Sequence, residues 1–300
     1  MSIDSINKAK TKKTGSGSNA LSILNAGQVE NSSDHSRKPI HIAMFSGGAS
    51  SAYVAYYIVQ KYGKENCVLF FTDTLWEDID NYRFMDEVAE YIGLDITTRI
   101  DGRTPEEVFH DIRFLGNSRM AKCSEELKVR QTLIFLEELR DEHNLEPILY
   151  FGIGPHESHR AINLQNFYEH NPIEPIATRF PMIETFTEDL DTKKIIRDEW
   201  KIALPRMYGL GFSHANCAGR CVRGGLGHYA LLYKVWPNQY MEQEAMEERF
   251  REKFNKDVSI LKRNSKAFTL REYRELMDKD GIEKYLSEKD DTIPCVCSYS

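Results

Sequence analysis

Along this chain of 300 residues the apolar pattern begins abruptly. Residues 1–38 hold eight serines, no aromatic side chain and a net positive charge, with Asp4, Glu30 and Asp34 outnumbered by basic residues. A segment of that kind buries too little to offset its ordering entropy, so a flexible tail is expected over 1–38. From Pro39 the pattern changes. A short apolar run at 40–45 leads into Ser46-Gly47-Gly48-Ala49-Ser50-Ser51, and a longer apolar stretch follows at 52–59. That order predicts a strand, a glycine-rich turn and a helix. Residues 67–71 read as a second buried strand ending at Thr72-Asp73-Thr74, residues 81–92 as a helix stopped by Gly93, and residues 96–100 as a third strand. Thr104-Pro105-Glu106-Glu107 has the N-cap, the proline at the first helical position and the glutamate at the third that open a helix. Residues 127–139 are helical in period, and residues 147–151 form a further strand ending in Gly152-Ile153-Gly154.

Strands alternating with helices at this spacing predict an α/β fold with a parallel sheet. Ligands in such sheets lie beyond the carboxyl ends of the strands. The polar clusters fall there: residues 46–51, 72–74 and 154–160. Beyond about residue 185 the pattern is mainly helical, at 190–200, 227–234 and 239–254, and Thr269 with Glu272 predicts one more capped helix. The expected organisation is a tail over 1–38, an α/β domain over 39–205 and a helical, cysteine-bearing region over 206–300.

Composition narrows the class. The length suffices for a full core without disulfides, and ordinary proportions of apolar and charged residues exclude a wholly disordered, collagen-like or disulfide-miniprotein chain. A net charge of −7 argues against a dedicated duplex-DNA binder, which needs a cationic footprint, although a local basic patch is compatible with it. No apolar run approaches the roughly 18 residues of a membrane span, and the N-terminus has no apolar core of a secretory signal. A cytoplasmic location, without a membrane, is the expectation. There the six cysteines point to metal or redox chemistry rather than disulfides.

Four groups of residues carry chemistry. A strand turning through Gly47 and Gly48 into a helix aims backbone N–H groups and the helix dipole at one spot, and Ser46, Ser50 and Ser51 add hydroxyls. The product is an oxyanion cradle, or else a tight structural turn. It lacks the Lys-Ser/Thr ending of the P-loop and the spacing of a dinucleotide-binding turn. Asp73 at a strand end suits a ribose hydroxyl, or caps the next helix. His156, Glu157, His159 and Arg160 follow a buried strand. Arg160 suits phosphate, a histidine suits proton transfer, and the two histidines with Glu157 suit a metal, while a solvated helix start is the plain alternative. Cys217-x₃-Cys221 in a glycine-rich loop and Cys295-x-Cys297 near the end suit a tetrahedral thiolate site for zinc or an iron–sulfur cluster. Cys123, on a predicted helix start, is an alternative fourth ligand, a nucleophile or buried filler. Cys67 reads as core. Arg220 and Arg223, with His214 and His228 nearby, suit a phosphate or an RNA backbone, or a solvated surface.

The loop at 45–51 resembles the S-G-G-x-x-S pyrophosphate loop of the adenine nucleotide alpha hydrolase-like superfamily, and more closely its phosphoadenosine phosphosulfate (PAPS) reductase-like branch. Phe71-Thr-Asp-Thr74 resembles that branch's second-strand end, Cys123-Ser-Glu-Glu-Leu-Lys128 its C-[ST]-x-x-L-K element, and Gly152 to Arg160 its G-x-x-x-x-E-x-x-R element. The resemblance covers roughly residues 39–235. It implies a five-stranded parallel sheet with helices on both faces and a nucleotide across the strand ends. It implies nucleotide contacts from Ser46, Gly47, Gly48, Ser50, Ser51, Asp73 and Lys128, and catalytic roles for Cys123, Glu157 and Arg160. Ser50 stands where ATP-cleaving relatives usually carry aspartate.

The implied function is an adenine-nucleotide-binding enzyme that cleaves ATP at the α–β bond to adenylate an acceptor, transfers sulfur, or does both. Mg²⁺ would accompany the ATP, and a [4Fe–4S] cluster or Zn²⁺ would sit on the cysteines. The alternatives are a PAPS or APS reductase, whose usual Glu-Cys-Gly-Leu-His tail is absent from this sequence, and a nucleotide-sensing or adaptor subunit with a structural metal. RNA, DNA and a small molecule are all compatible as acceptor. A homodimer or a sulfur- or electron-donor protein is a compatible partner.

Overall fold

The computed structural model describes residues 37–117, 120–186 and 190–286. Residues 1–36 of the tail expected over 1–38 and the pair Cys295 and Cys297 lie outside the described residues. The order of elements begins β1 (Lys38–Met44), α1 (Ala49–Tyr62), β2 (Cys67–Asp73), α2 (Ile79–Ile92), β3 (Ile96–Ile100) and α3 (Pro105–Ile112). A helical segment then opens at Lys122–Ser124, widens into a π-turn at Glu125–Val129 and continues as α4 (Arg130–Asp141). β4 (Leu145–Tyr150), α5 (Ser158–His170) and β5 (Ala177–Arg179) complete the α/β part. After several short turns come α6 (Leu226–Val235), α7 (Pro237–Phe254), a hairpin of β6 (Leu261–Arg263) and β7 (Lys266–Phe268), and α8 (Leu270–Asp280).

Five strands form one parallel sheet in the order β3-β2-β1-β4-β5. The chain builds outward from β1 in one direction and then returns to β1's other side through β4. The switch in direction falls between β1 and β4, which opens a crevice at their carboxyl ends. Strand alternation supplies both faces. Ala43, Leu69 and Phe71 pack under α1 and α2 with Phe84, Met85 and Val88, while Ile40, Ile42 and Phe70 pack under α4 and α5 with Phe135, Leu136 and Leu164. The expected α/β class with helices on both faces is what the chain adopts. Cys67 belongs to the first of these cores, where burial pushes its thiol up to about 12.

A third core belongs to the helical C-terminal region, where Met207, Phe212, Tyr229, Tyr240, Phe250 and Tyr273 come together. Trp76, Phe109 and Leu115 of the α/β part join it. The region therefore packs beside the exit of β2, next to the crevice.

Several boundaries differ from the sequence expectation. Lys38, placed in the tail, begins β1 and pairs with Leu145, and Arg37 forms ion pairs with Glu146 and Glu174. A charged side chain at a strand's first position is compatible with the ladder because only its backbone is needed there. α1 starts at Ala49, since the short polar residues after the glycines are helical as well. The helix expected at 190–200 is only Thr192–Lys194 and a π-turn at Ile195–Glu199. β5 and the hairpin are three-residue strands, too short to give a period.

Candidate functional site

The chain enters the crevice where β1 ends. Gly47 takes φ +74°, a left-handed conformation that favours glycine. Gly48, in extended conformation, leads into α1. Its N-cap, Gly48, has no side chain to cap it, and no acidic residue stands in its first turn. Its positive end is thus turned outward without an internal counter-charge. Ser51 Oγ donates to Gly48 O at 2.9 Å and accepts from Ser46 N–H at 3.3 Å, so this hydroxyl holds the turn in shape. Gly152 lets β4 come close: a Cβ there would lie 2.5 Å from Ser51 N and 2.6 Å from Ser50 C.

The cleft above this loop has a volume of about 380 Å³. Ser46, Gly48, Ser50 and Ser51 line it, with Lys128 from the π-turn and Glu157 and Arg160 from the start of α5. Arg160 is ion-paired to Glu157, and its Nε, buried, has no hydrogen-bond partner among the described residues. The C-terminal region closes the other side with Tyr208, Ser213, His214 and Asn216. Ala49 N–H, in the first turn of the helix, donates to Tyr208 Oη at 3.5 Å. Burial raises its pKa, and the neutral hydroxyl accepts that bond. Lys193 Nζ lies 3.9 Å over the same ring. Arg206 fixes the turn that carries Tyr208 through a bidentate pair with Asp78, at 2.9 and 2.6 Å, and Asp78 is also the N-cap of α2.

Of the residues expected at the nucleotide, Asp73 is placed elsewhere. It lines a neighbouring hollow of about 610 Å³ with Tyr82, Asp86 and Glu90. Its Oδ1 accepts from Leu75 N–H and from Tyr82 Oη, both at 2.8 Å, and the cap of the next helix is Asp78 rather than Asp73. Gly47 lies behind the cleft surface, against Asn81. His156 and His159 are exposed and do not stand with Glu157 as a preformed metal site.

Cys123, Cys217 and Cys221 line one small cavity of about 20 Å³, together with Thr74, Trp76, Ser124 and Lys128. The cysteine loop is held in an unusual form. Cys217, Ala218 and Gly219 take φ of 57°, 46° and 77° in succession, two of them non-glycine residues in a disfavoured region. Cys217 N–H donates to Glu77 Oε2 at 2.9 Å, and His228 Nε2 donates to Gly219 O at 2.7 Å. Three thiols facing one cavity suit a soft metal or cluster in donor chemistry. Among the described residues no three of His, Cys, Asp and Glu already stand together as a preformed metal site. Arg220 and Arg223 are not a solvated surface. Arg220 stacks over Trp76 at 4.7 Å, and Arg223 is buried.

Tyr208, Asn81, Glu77 and Asn216 carry no sequence signal of their own and become visible only through the packing. Among known proteins, no family model and no curated protein matches this chain.

Proposed function

We propose that this chain is an adenine-nucleotide-binding enzyme that cleaves ATP at the α–β bond to adenylate an acceptor, transfers sulfur, or does both. One observation carries the reading: the N-terminus of α1, entered through Gly48 and free of acidic residues in its first turn, opens into the same cleft that Arg160 and Lys128 line. Backbone N–H donors and two cations around a crevice at the sheet's switch point are the environment that binds a polyphosphate. The same donors would stabilise the charge of a departing pyrophosphate. Mg²⁺ arriving with ATP would offset part of the phosphate charge. Cys123, Cys217 and Cys221 would hold a zinc ion or a [4Fe–4S] cluster, which when bound supplies either a clasp or sulfur and electrons.

A sulfonucleotide is the second reading. Ser50 in the cleft adds a neutral hydroxyl where a metal-binding carboxylate would favour ATP with Mg²⁺. The test is calorimetric titration of anaerobically purified protein with ATP, APS and PAPS, followed by chromatography of the products. AMP and pyrophosphate from ATP support adenylation. Sulfite from PAPS or APS, with a dithiol reductant, moves the assignment to reductase. Tight binding without turnover moves it to a sensor or adaptor, and no binding of any of the three overturns the nucleotide reading.

A further inference from the structure

Asn81 is 0 % exposed, and neither its Oδ1 nor its Nδ2 has a hydrogen-bond partner among the described residues. An amide buried in that state is costly, and buried polar groups are bonded in the great majority of cases. An apolar side chain of the same branched shape, such as leucine, would occupy the position without that cost. The position therefore calls for a reason other than packing.

The surroundings supply one. The amide lies against Gly47, the left-handed residue of the loop: a Cβ on Gly47 would come within 2.5 Å of Asn81 Nδ2 and 2.6 Å of its Oδ1. Asn81 itself is well anchored. It sits in the first turn of α2, its N–H donates to Asp78 O at 2.9 Å, and Asp78 is clamped by Arg206. The loop is the movable partner of the two. Gly47 and Gly48 restrict its backbone little, and an oxyanion drawing the N–H groups of residues 47–49 outward would turn the peptide planes behind them.

We propose that Asn81 is a positioning residue of the anion loop, whose amide bonds the peptide groups of residues 46–48 once an oxyanion occupies the cleft. This rests on the nucleotide reading above and deepens it. The unbonded amide raises the free energy of the ligand-free state, and the bonds formed on loading lower that of the bound state. The difference appears as affinity, because a ligand shifts an equilibrium only by its differential interaction with two states. Asn81 touches no ligand in this scheme; it acts through the loop.

The test compares full-length wild type with Asn81→Leu, using inorganic pyrophosphate and ATP as probes in calorimetry and thermal unfolding without ligand. Asn81→Leu is expected to unfold at the same or a higher temperature and to bind both probes about tenfold more weakly, the loss of one or two hydrogen bonds. A residue that only packs would not separate the two readouts. Equal affinity in wild type and variant overturns the assignment, and so does a variant that loses stability as well as affinity. A measurement on the wild type stands beside it: the side-chain amide resonances of Asn81 in ¹⁵N-labelled protein should shift downfield on adding pyrophosphate, and unmoved resonances under saturation overturn the proposal. Wild-type protein that binds neither probe overturns the nucleotide reading together with this one. Binding that Asn81→Leu leaves intact overturns this one alone.

Discussion

Lys128 Nζ stands 3.7 Å from Glu77 Oε1, with the two side chains 8 % and 1 % exposed. Lys128 comes from the π-turn before α4 and lines both the cleft and the thiol cavity. Glu77 follows β2, and its other oxygen accepts from Cys217 N–H in the cysteine loop. One buried ion pair thus joins three distant stretches of chain at the point where the two cavities meet. π-turns of this kind occur often at functional sites, since the extra residue redirects a side chain.

Breaking that pair from one side leaves a buried charge. Lys128→Met is expected to cost about 3–5 kcal/mol of stability, and the double variant Lys128→Met with Glu77→Gln to recover most of it. Urea unfolding of the two variants checks this. A single variant within about 1 kcal/mol of wild type would show that the pair is dispensable.

Glycines 152 and 154 are expected to behave oppositely. A Cβ on Gly152 meets the backbone of Ser50 and Ser51, whereas a Cβ on Gly154 meets nothing within 4 Å. Gly152→Ala should lower stability by about 1–3 kcal/mol and abolish ATP binding, because backbone cannot rotate out of the way as a side chain does. Gly154→Ala should retain both properties. Thermal unfolding and calorimetry of the pair give the answer, and a tolerated Gly152→Ala would contradict the close approach.

Arg160 is expected to contribute charge to the ligand. Arg160→Ala should weaken ATP binding about 10- to 100-fold, with Arg160→Lys recovering part of the loss. The wild-type affinity should also fall more steeply with salt than that of Arg160→Ala. Identical salt slopes would place the guanidinium outside the phosphate's reach.

Metal and sulfide analysis of anaerobically purified protein decides the nature of the thiol cavity. About four irons and four sulfides per chain, with absorbance near 400 nm, mark a [4Fe–4S] cluster, and about one zinc marks a clasp. Serine at Cys123, Cys217 or Cys221 should lower the metal content in either case, while serine at the core residue Cys67 should not. Metal-free wild-type protein would remove the metal reading of these thiols.

The C-terminal core carries a pH-sensitive carboxyl. Burial pushes Glu247 up to about 7, even though Ile260 N–H and Leu270 N–H both donate to it at 2.7 Å. A carboxyl raised on folding takes up a proton as the chain folds. Its contribution is complete below the unfolded value of about 4.3 and is lost as pH rises through 7, on the order of 3–4 kcal/mol. Unfolding free energies measured between pH 4.5 and 8 should decline across that window, and Glu247→Gln should flatten the decline. A variant with an unchanged pH profile would assign the dependence to other groups.

Much of this was legible along the chain. The strand–glycine turn–helix at 38–62, the capping boxes at Thr104 with Glu107 and Thr269 with Glu272, and the parallel α/β class all follow from near neighbours. Side-chain period and cap chemistry act within a few residues, so one sequence window contains their cause. The clustering of residues 46–51 with 154–160 was legible for a related reason. In a parallel sheet every strand ends on the same side, so loops after successive strands must meet.

The sequence by itself therefore determined the class of the fold, the glycine turn after the first strand and which loops converge on it. The tertiary structure alone decided the strand order, the turning of Asp73 into a neighbouring hollow, the meeting of Cys123 with Cys217 and Cys221, the placing of Glu77 between Lys128 and the cysteine loop, and the arrival of Tyr208 and Asn81 at the glycine turn. Most of those contacts join residues well separated in the chain, and the cost of closing a loop grows only slowly with its length. Many partners are then nearly equivalent until side-chain packing chooses among them, and that choice leaves no period or motif to read.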